Sequence, residues 1–170
     1  MFFDSLQQRM KRKLDGLNFD FENFSIDALV KHLEATRGRF IKFIPQEFPP
    51  DLHGGWITSK DYKLEYIFLN KALPPLQLEH TKLHELSHII CSHKTLAVGE
   101  HELKELRESE ALLLLLWRTQ KTKSDIEEKE AETMAVMLQA LAHNNRPEII
   151  TSSSEAGKSY LSSIFDGGKR

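Results

Sequence analysis

Hydrophobic residues near the start of the chain recur at the spacing of an α-helix. A stripe from Ile26 to Leu33 is preceded by Ser25, a suitable N-cap, and is followed by Gly38, a residue that readily ends helices. The pattern therefore predicts a helix that begins after Ser25 and ends at Gly38. A more polar helix is expected before it, over residues 3–15.

The chain then changes to the alternating pattern and the aromatic and β-branched content of strands. Three segments have this pattern: residues 40–44, 53–58 and 63–69. Prolines separate the first two segments, and a turn over residues 59–62 separates the last two. Three short strands joined in this way predict a small antiparallel sheet.

The second half of the chain returns to helical spacing. After a pair of prolines, a helix is predicted over residues 76–93, with a buried face formed by Leu83, Leu86, Ile89 and Ile90. A loop over residues 94–100 follows, and two further helices are predicted at residues 101–119 and 126–143. Strands followed by several helices indicate an α+β fold in which the small antiparallel sheet packs against the helices.

The 170 residues are enough for one domain with its own hydrophobic core. We expect this domain to span residues 1–146. From Pro147 the composition shifts to Ser, Gly, Lys and Glu, so residues 147–170 are predicted to form a mobile C-terminal tail.

Removing the chain from Thr151 onwards is expected to leave the melting temperature nearly unchanged, because this composition buries little apolar surface. Thermal unfolding of the full and the truncated chain, followed by circular dichroism, measures the difference. A large drop would show instead that the apolar residues of the tail dock on the core: Tyr160, Leu161, Ile164 and Phe165.

Composition and charge exclude several functional classes. The net charge is −2 and no long basic stripe occurs, so direct binding to nucleic acid is not expected. Cys91 is the single cysteine, which excludes an internal disulfide framework. The longest apolar run, from Ala111 to Trp117, is much shorter than the roughly 18 residues of a membrane span. Because no apolar signal segment is seen at the start, we expect a cytoplasmic protein that does not enter a membrane.

Residues 84–88 carry candidate chemistry, since they read His84-Glu85-Leu86-Ser87-His88 inside the apolar helix predicted at 76–93. Residues four apart share one face of a helix, so the two histidines can bind one metal ion, and Glu85 can reach a water molecule bound to it. This spacing is typical of zinc hydrolases, most often peptidases, in which the glutamate is the general base. The alternative is a chance match on a solvated helix face.

A catalytic zinc site needs a third protein ligand besides the two histidines. The longer motif that continues with a glycine and a third histidine is absent, because those positions hold Cys91 and Lys94, and His93 is one residue out of register. Apolar neighbours favour Cys91 as a buried structural thiol rather than as a ligand. The third ligand is therefore expected to be a carboxylate further along the chain.

The acidic start of the last helix, residues 127–132, supplies candidates for this carboxylate. Glu128 and Glu132 lie one turn apart, beside small alanines that let the helix approach the histidines closely. In several zinc peptidases with a glutamate ligand, a carboxylate or amide four residues later hydrogen-bonds a ligand histidine. This spacing predicts Glu128 as the ligand and Glu132 as that partner. Glu127 and Glu130 are alternative ligands, and a solvated acidic helix start without a metal is a further alternative.

With both motifs identified, the chain resembles the ImmA/IrrE-type metallopeptidases. The resemblance rests on Leu83–Ile90 and Glu128–Ala135, and on a helix and a short sheet containing His53–Trp56 ahead of the first motif. It covers roughly residues 25–143 and implies a zincin-like fold around the predicted Zn²⁺ site. It also implies a cytoplasmic bacterial or phage protein that cleaves, or otherwise inactivates, a helix-turn-helix repressor.

A zinc-dependent endopeptidase that acts on a cytoplasmic protein regulator is therefore the leading hypothesis. In this hypothesis Glu85 is the catalytic base. The oxyanion needs a donor, for which His101, His143, Tyr62 and Tyr66 are candidates, and the alternative for each of them is a structural or surface role. The strand at residues 54–57 is either an edge that pairs with an extended peptide or an ordinary sheet strand. The alternative function is a metal-containing binding or sensor module that inactivates a repressor without proteolysis. Replacing Glu85 separates the two functions, because binding alone does not need a general base.

Overall fold

The computed structural model describes residues 4–144, which form an α+β fold with six helices and a four-stranded sheet. In chain order the elements are α1 (Leu6–Asp15), α2 (Ile26–Arg37), β1 (Phe40–Gln46), β2 (Gly54–Ser59), β3 (Leu64–Asn70), α3 (Pro75–Ile90), β4 (Ala97–Val98), α4 (Glu100–Arg107), α5 (Ala111–Thr122) and α6 (Asp125–Asn144). The predicted tail, residues 147–170, lies outside the described residues, as does the predicted domain end at residue 146. Within residues 4–144, the structure contains no helix that is long and apolar enough to cross a membrane.

Local sequence signals set both ends of α2. The Ser25 hydroxyl accepts a hydrogen bond from the Ala28 N–H at 3.1 Å and so caps the first turn. Gly38 ends the helix in the left-handed conformation, with a φ of 67°, which glycine adopts at little cost. The prediction for both ends of this helix is confirmed.

The sheet is mixed, with the strand order β1-β3-β2-β4. β2 and β3 form an antiparallel hairpin, but β1 pairs with β3 in parallel, and β2 pairs with β4 in parallel. The prediction of an antiparallel sheet is therefore confirmed for β2 with β3 and wrong for β1 with β3, and the parallel pairing of β2 with β4 involves a strand that was not predicted. The loop over residues 47–53 carries the chain from β1 to β2 without pairing them, so β3 returns between the two and runs in the direction of β1.

The region between α3 and α6 also differs from the prediction. Residues 97–98 form the short strand β4 within the segment that was expected to be a loop. The helix predicted over residues 101–119 is two helices, α4 and α5, separated at residues 108–110. The Ser109 hydroxyl accepts a hydrogen bond from the Ala111 N–H at 3.2 Å, a local contact that competes with a continuous helix.

Helices cover both faces of the sheet and bury two apolar clusters. Alternate residues of β3 pack on opposite faces of the sheet, because successive side chains of a strand point to opposite sides. Ile67 and Leu69 pack in the cluster with α1, α2, α3 and α6, whereas Tyr66 and Phe68 pack in the cluster with α4 and α5. α3 also packs along α6, where Ala135 is fully buried. This close contact between α3 and α6 brings polar side chains of both helices to one place.

Candidate metal centre

Three side chains from α3 and α6 meet at the surface between these helices. His84 and His88 lie one turn apart on α3, and their Nε2 atoms are 3.2 Å apart. Glu128, from the first turn of α6, places Oε2 3.3 Å from His84 Nε2 and Oε1 3.3 Å from His88 Nε2. Two ligands of a tetrahedral zinc ion, each at about 2.0–2.1 Å from it, lie roughly 3.3 Å apart. The three predicted ligands therefore come together at a spacing that could hold one metal ion.

The electrostatics of this triad favour a cation between its members. Burial acts to lower the pKa of His84, but hydrogen bonds to Glu128 and Glu132 outweigh burial and raise the pKa to about 10. Hydrogen bonds from His84 and His88 hold the pKa of Glu128 well below its usual range. Burial lowers the pKa of His88, whose side chain is 1% exposed, so this imidazole is neutral and can offer a lone pair. A neutral imidazole beside an anionic carboxylate suits a divalent metal ion.

Glu132 supports the imidazole of His84 at its other nitrogen. Glu132 Oε2 lies 3.1 Å from His84 Nδ1, so an Nδ1–H group donates to the carboxylate, and Nε2 can bind a metal once the ion has displaced its proton. The hydrogen bond with His84 lowers the pKa of Glu132 to about 2 and keeps the carboxylate anionic. His80 Nε2 lies 3.1 Å from the same oxygen, and His80 Nδ1 lies 3.0 Å from Gln139 Oε1. Glu132 thus makes the contact predicted for it, whereas the sequence did not single out His80 and Gln139.

The two alternative ligands, Glu127 and Glu130, have other partners. Glu127 Oε2 accepts a hydrogen bond from the Ser124 N–H at 2.9 Å, and the Glu127 N–H donates to the Ser124 hydroxyl at 3.2 Å. Glu127 is therefore part of the cap of α6. Glu130 Oε2 lies 2.8 Å from His93 Nε2. Of these candidates, Glu128 is the carboxylate that the fold brings to both histidines.

His93 is the main residue of the site that the sequence interpretation missed. α3 ends at Ile90, and Ser92 adopts a left-handed φ of 57°. The chain turns there, and the His93 N–H donates to the His88 carbonyl at 3.0 Å. The His93 ring consequently reaches the His88 ring, with 2.8 Å between their Nδ1 atoms. A left-handed serine is uncommon and carries no sequence signal, so this contact could not be predicted.

Cys91 is buried, as the sequence indicates, at 8% exposure. Its Sγ lies 3.9 Å from Met10 Sδ, and burial raises the pKa of the thiol to about 11. Donor atoms of Cys91, His93 and Glu130 lie within 4.8 Å of one another and form another group that could hold a metal ion, as do those of His80, His84 and Glu132. A protonated thiol among apolar neighbours is a poorer ligand than the imidazoles and carboxylate of the first group.

The first triad opens onto a cavity of about 550 Å³. Glu85 also lines this cavity, and it is 6% exposed. The strand β2 contributes Gly54, Gly55 and Trp56 to the lining, and α5 contributes Leu116, Thr119 and Gln120. The triad and Glu85 therefore face a space that is large enough to admit part of another molecule.

The four predicted oxyanion donors do not line this cavity: His101, His143, Tyr62 and Tyr66. Tyr66 is the most buried of them, and its hydroxyl donates to Glu100 Oε1 at 2.8 Å on the sheet face covered by α4 and α5. Polar side chains that do line the cavity include His53, Gln120 and Lys123. Residue type alone does not show which surface of the fold a side chain meets, so the sequence could not identify the side chains that line the cavity.

The arrangement combines a set of metal-binding donors, a buried carboxylate and open space beside them. Such a site can hold a divalent cation and place a proton acceptor next to it. No protein-family model, curated protein or solved structure matches the chain. The chemistry of the site is therefore argued from its residues.

Proposed function

We propose that this protein is a zinc-dependent endopeptidase with a zincin-like fold, of the ImmA/IrrE type. The observation that carries the proposal is the meeting of His84 and His88 from α3 with Glu128 from α6, at distances that suit one zinc ion. Glu85 faces the same cavity, as a general base for a water molecule requires. A chance match on a solvated helix would leave its residues exposed, whereas Glu85 and His88 are buried.

The catalytic roles follow from this arrangement. His84, His88 and Glu128 would hold Zn²⁺, which when bound supplies a Lewis acid that polarises a peptide carbonyl and acidifies a water molecule. Glu85 accepts a proton from the attacking water as the water oxygen forms its bond to the carbonyl carbon. Glu85 then donates this proton to the leaving nitrogen as the C–N bond breaks. Lys123 lines the cavity and is a donor available to the carbonyl oxygen as it becomes negative.

The edge of β2 at residues 54–57, which lies beyond its pairing with β4, is the proposed docking site for an extended substrate. The carbonyl oxygens of Gly54 and Trp56 accept hydrogen bonds from side chains rather than from a neighbouring strand. Gln120 Nε2 donates to the Gly54 carbonyl at 3.0 Å, and the Thr95 hydroxyl donates to the Trp56 carbonyl. The backbone N–H groups of an extended peptide can replace such side-chain donors and add a strand to the sheet. The edge borders the cavity, so a peptide paired there would pass the triad.

The proposed substrate is a cytoplasmic protein regulator, and the resemblance to ImmA/IrrE-type peptidases favours a helix-turn-helix repressor. A substrate segment can pair with a strand edge only if its backbone N–H and C=O groups are not already hydrogen-bonded within the substrate. Cleavage is therefore expected in a flexible linker of the regulator. The net charge of −2 gives no reason to expect that the protein itself binds the operator DNA.

Incubation with a helix-turn-helix repressor, chosen from the genes adjacent to that of this protein, is expected to release repressor fragments when zinc is present. A chelator is expected to stop the cleavage, because it competes with the triad for the ion. Gel electrophoresis measures the cleavage, and mass spectrometry of the fragments locates the broken bond. The Glu85→Gln variant, loaded with zinc, is the matched control and is expected to leave the repressor whole.

Two other outcomes would contradict parts of this proposal. A repressor that stays intact but loses its DNA binding would refute proteolysis and favour a module that acts by holding its partner. A repressor that is neither cleaved nor bound would show that the proposed partner is wrong.

A further inference from the structure

A hydrogen-bonded chain leads from the second histidine of the triad back to α6. His88 Nδ1 lies 2.8 Å from His93 Nδ1, and His93 Nε2 lies 2.8 Å from Glu130 Oε2. The side chains of His88 and His93 are 1% and 6% exposed, and that of Glu130 is 18% exposed. Because water has little access to these groups, their hydrogen bonds are stronger than they would be at the surface.

Only one placement of protons on the two neutral imidazoles satisfies both contacts if His88 Nε2 is to bind a metal. His88 then carries its proton on Nδ1 and donates it to His93 Nδ1. His93 therefore carries its own proton on Nε2 and donates it to Glu130 Oε2. The chain ends on a carboxylate, whose other oxygen lies 4.0 Å from Arg9 Nη2 of α1.

We propose that His93 and Glu130 are positioning residues, which hold the His88 imidazole in the tautomer and orientation that a metal ion requires. This inference rests on the proposed function, since it takes His88 Nε2 as a ligand. Each ligand histidine then has a carboxylate of its own from α6. Glu132 supports His84 directly, and Glu130 supports His88 through His93. A carboxylate at the end of such a chain also makes the imidazole more basic and strengthens its bond to a cation.

Helix geometry explains why a second histidine stands between Glu130 and His88. Residues two apart on an α-helix point roughly 200° apart around its axis. Glu128 faces the triad, so Glu130 lies on another side of α6 and cannot face the same point. The turn after α3 brings His93 to Glu130, and the imidazole spans the remaining distance to His88.

Zinc affinity, measured by competition with a chelator of known affinity, tests this role without relying on catalysis. His93→Leu removes the acceptor of the His88 proton and is expected to weaken zinc binding by about 10- to 100-fold. His93→Asn keeps an acceptor near the Nδ1 position and is expected to lose less affinity. Glu130→Gln keeps the shape of the side chain, removes its charge and is expected to weaken binding in the same direction.

The matched controls come from an exposed histidine–glutamate pair on α4. His101 Nε2 lies 3.3 Å from Glu105 Oε1, with side chains 87% and 70% exposed. His101→Leu and Glu105→Gln are expected to leave zinc affinity unchanged. Melting temperatures of the metal-free variants check folding, and Glu130→Gln carries the test if His93→Leu does not fold.

Nitrogen-15 NMR of the histidine side chains in the zinc-loaded protein gives a readout that a purely structural role would not dictate. His88 is expected to be protonated on Nδ1, and His93 on Nε2. A zinc-loaded wild type in which His93 carries its proton on Nδ1 would overturn the positioning role.

The affinity measurements distinguish failure of this inference from failure of the proposed function. A wild type that binds no zinc would overturn both. A wild type that binds zinc no better than the His93→Leu and Glu130→Gln variants would overturn the positioning role alone. Two zinc ions per chain, one of them lost in His93→Leu and in Cys91→Ser, would show that His93 is itself a ligand and would also overturn it.

Discussion

Replacing Glu85 with glutamine is expected to abolish peptide hydrolysis and to leave zinc binding intact. Glu85 lines the cavity beside the triad, but His84, His88 and Glu128 supply the three donor atoms that fit the ion. The glutamine amide has nearly the same shape as the carboxylate and cannot accept a proton from water. Loss of general acid–base catalysis lowers rates by about 10²- to 10⁴-fold.

Cleavage rate and zinc content, measured on the same preparation, check this expectation. Glu102→Gln, an exposed glutamate of α4, is the matched control and should cleave at the wild-type rate. Undiminished cleavage by Glu85→Gln would show that Glu85 is not the general base. Loss of zinc from this variant would mean that Glu85 is needed for zinc binding or for folding rather than for proton transfer.

Glu128→Ala is expected to cause the largest loss of zinc affinity among single changes in α6. The Glu128 carboxylate is the donor that faces both imidazoles, at 3.3 Å from each Nε2 atom. Without it, two protein ligands remain, fewer than the three of a catalytic zinc site. The loss should exceed the roughly 10- to 100-fold cost of removing a residue that only supports a ligand.

The comparison with Glu130→Ala makes this prediction specific. Glu130 meets His93 rather than the triad, so its removal should weaken zinc binding less than removal of Glu128. Competition with a chelator, at one pH and one ionic strength, ranks the two variants. The reverse order would transfer the ligand role to Glu130 and contradict the geometry of the triad.

Much of the fold could be predicted where one segment carries its own signal. The cap at Ser25 and the left-handed Gly38 set the ends of α2, and the apolar stripe of α3 set its buried face. The break between α4 and α5 was missed, because hydrophobic residues continue at helical spacing on both sides of Ser109. The pairing of β1 with β3 was missed as well, since strand patterns show alternation but not which strand lies beside which.

The candidate site likewise has features that the sequence predicts and features that it does not. The interval of four residues between His84 and His88 is a local property of one helix, and this spacing alone predicts that the two imidazoles share a face. The interval from Glu128 to Glu132 likewise predicts a ligand and its partner. The second interval favours Glu128 but leaves Glu127 and Glu130 as alternatives, because the final choice depends on how α6 is rotated against α3.

The sequence by itself thus determined which helices carry the donors, because helical spacing and capping act over a few residues. Only the tertiary structure decided that Glu128 faces the histidines, that Glu130 faces away, and that His93 closes a chain between Glu130 and His88. The physical reason is that these contacts join residues more than 30 positions apart, or depend on the left-handed turn at Ser92. The packing of α3 against α6 brings these residues together, and no local sequence pattern predicts how the two helices pack.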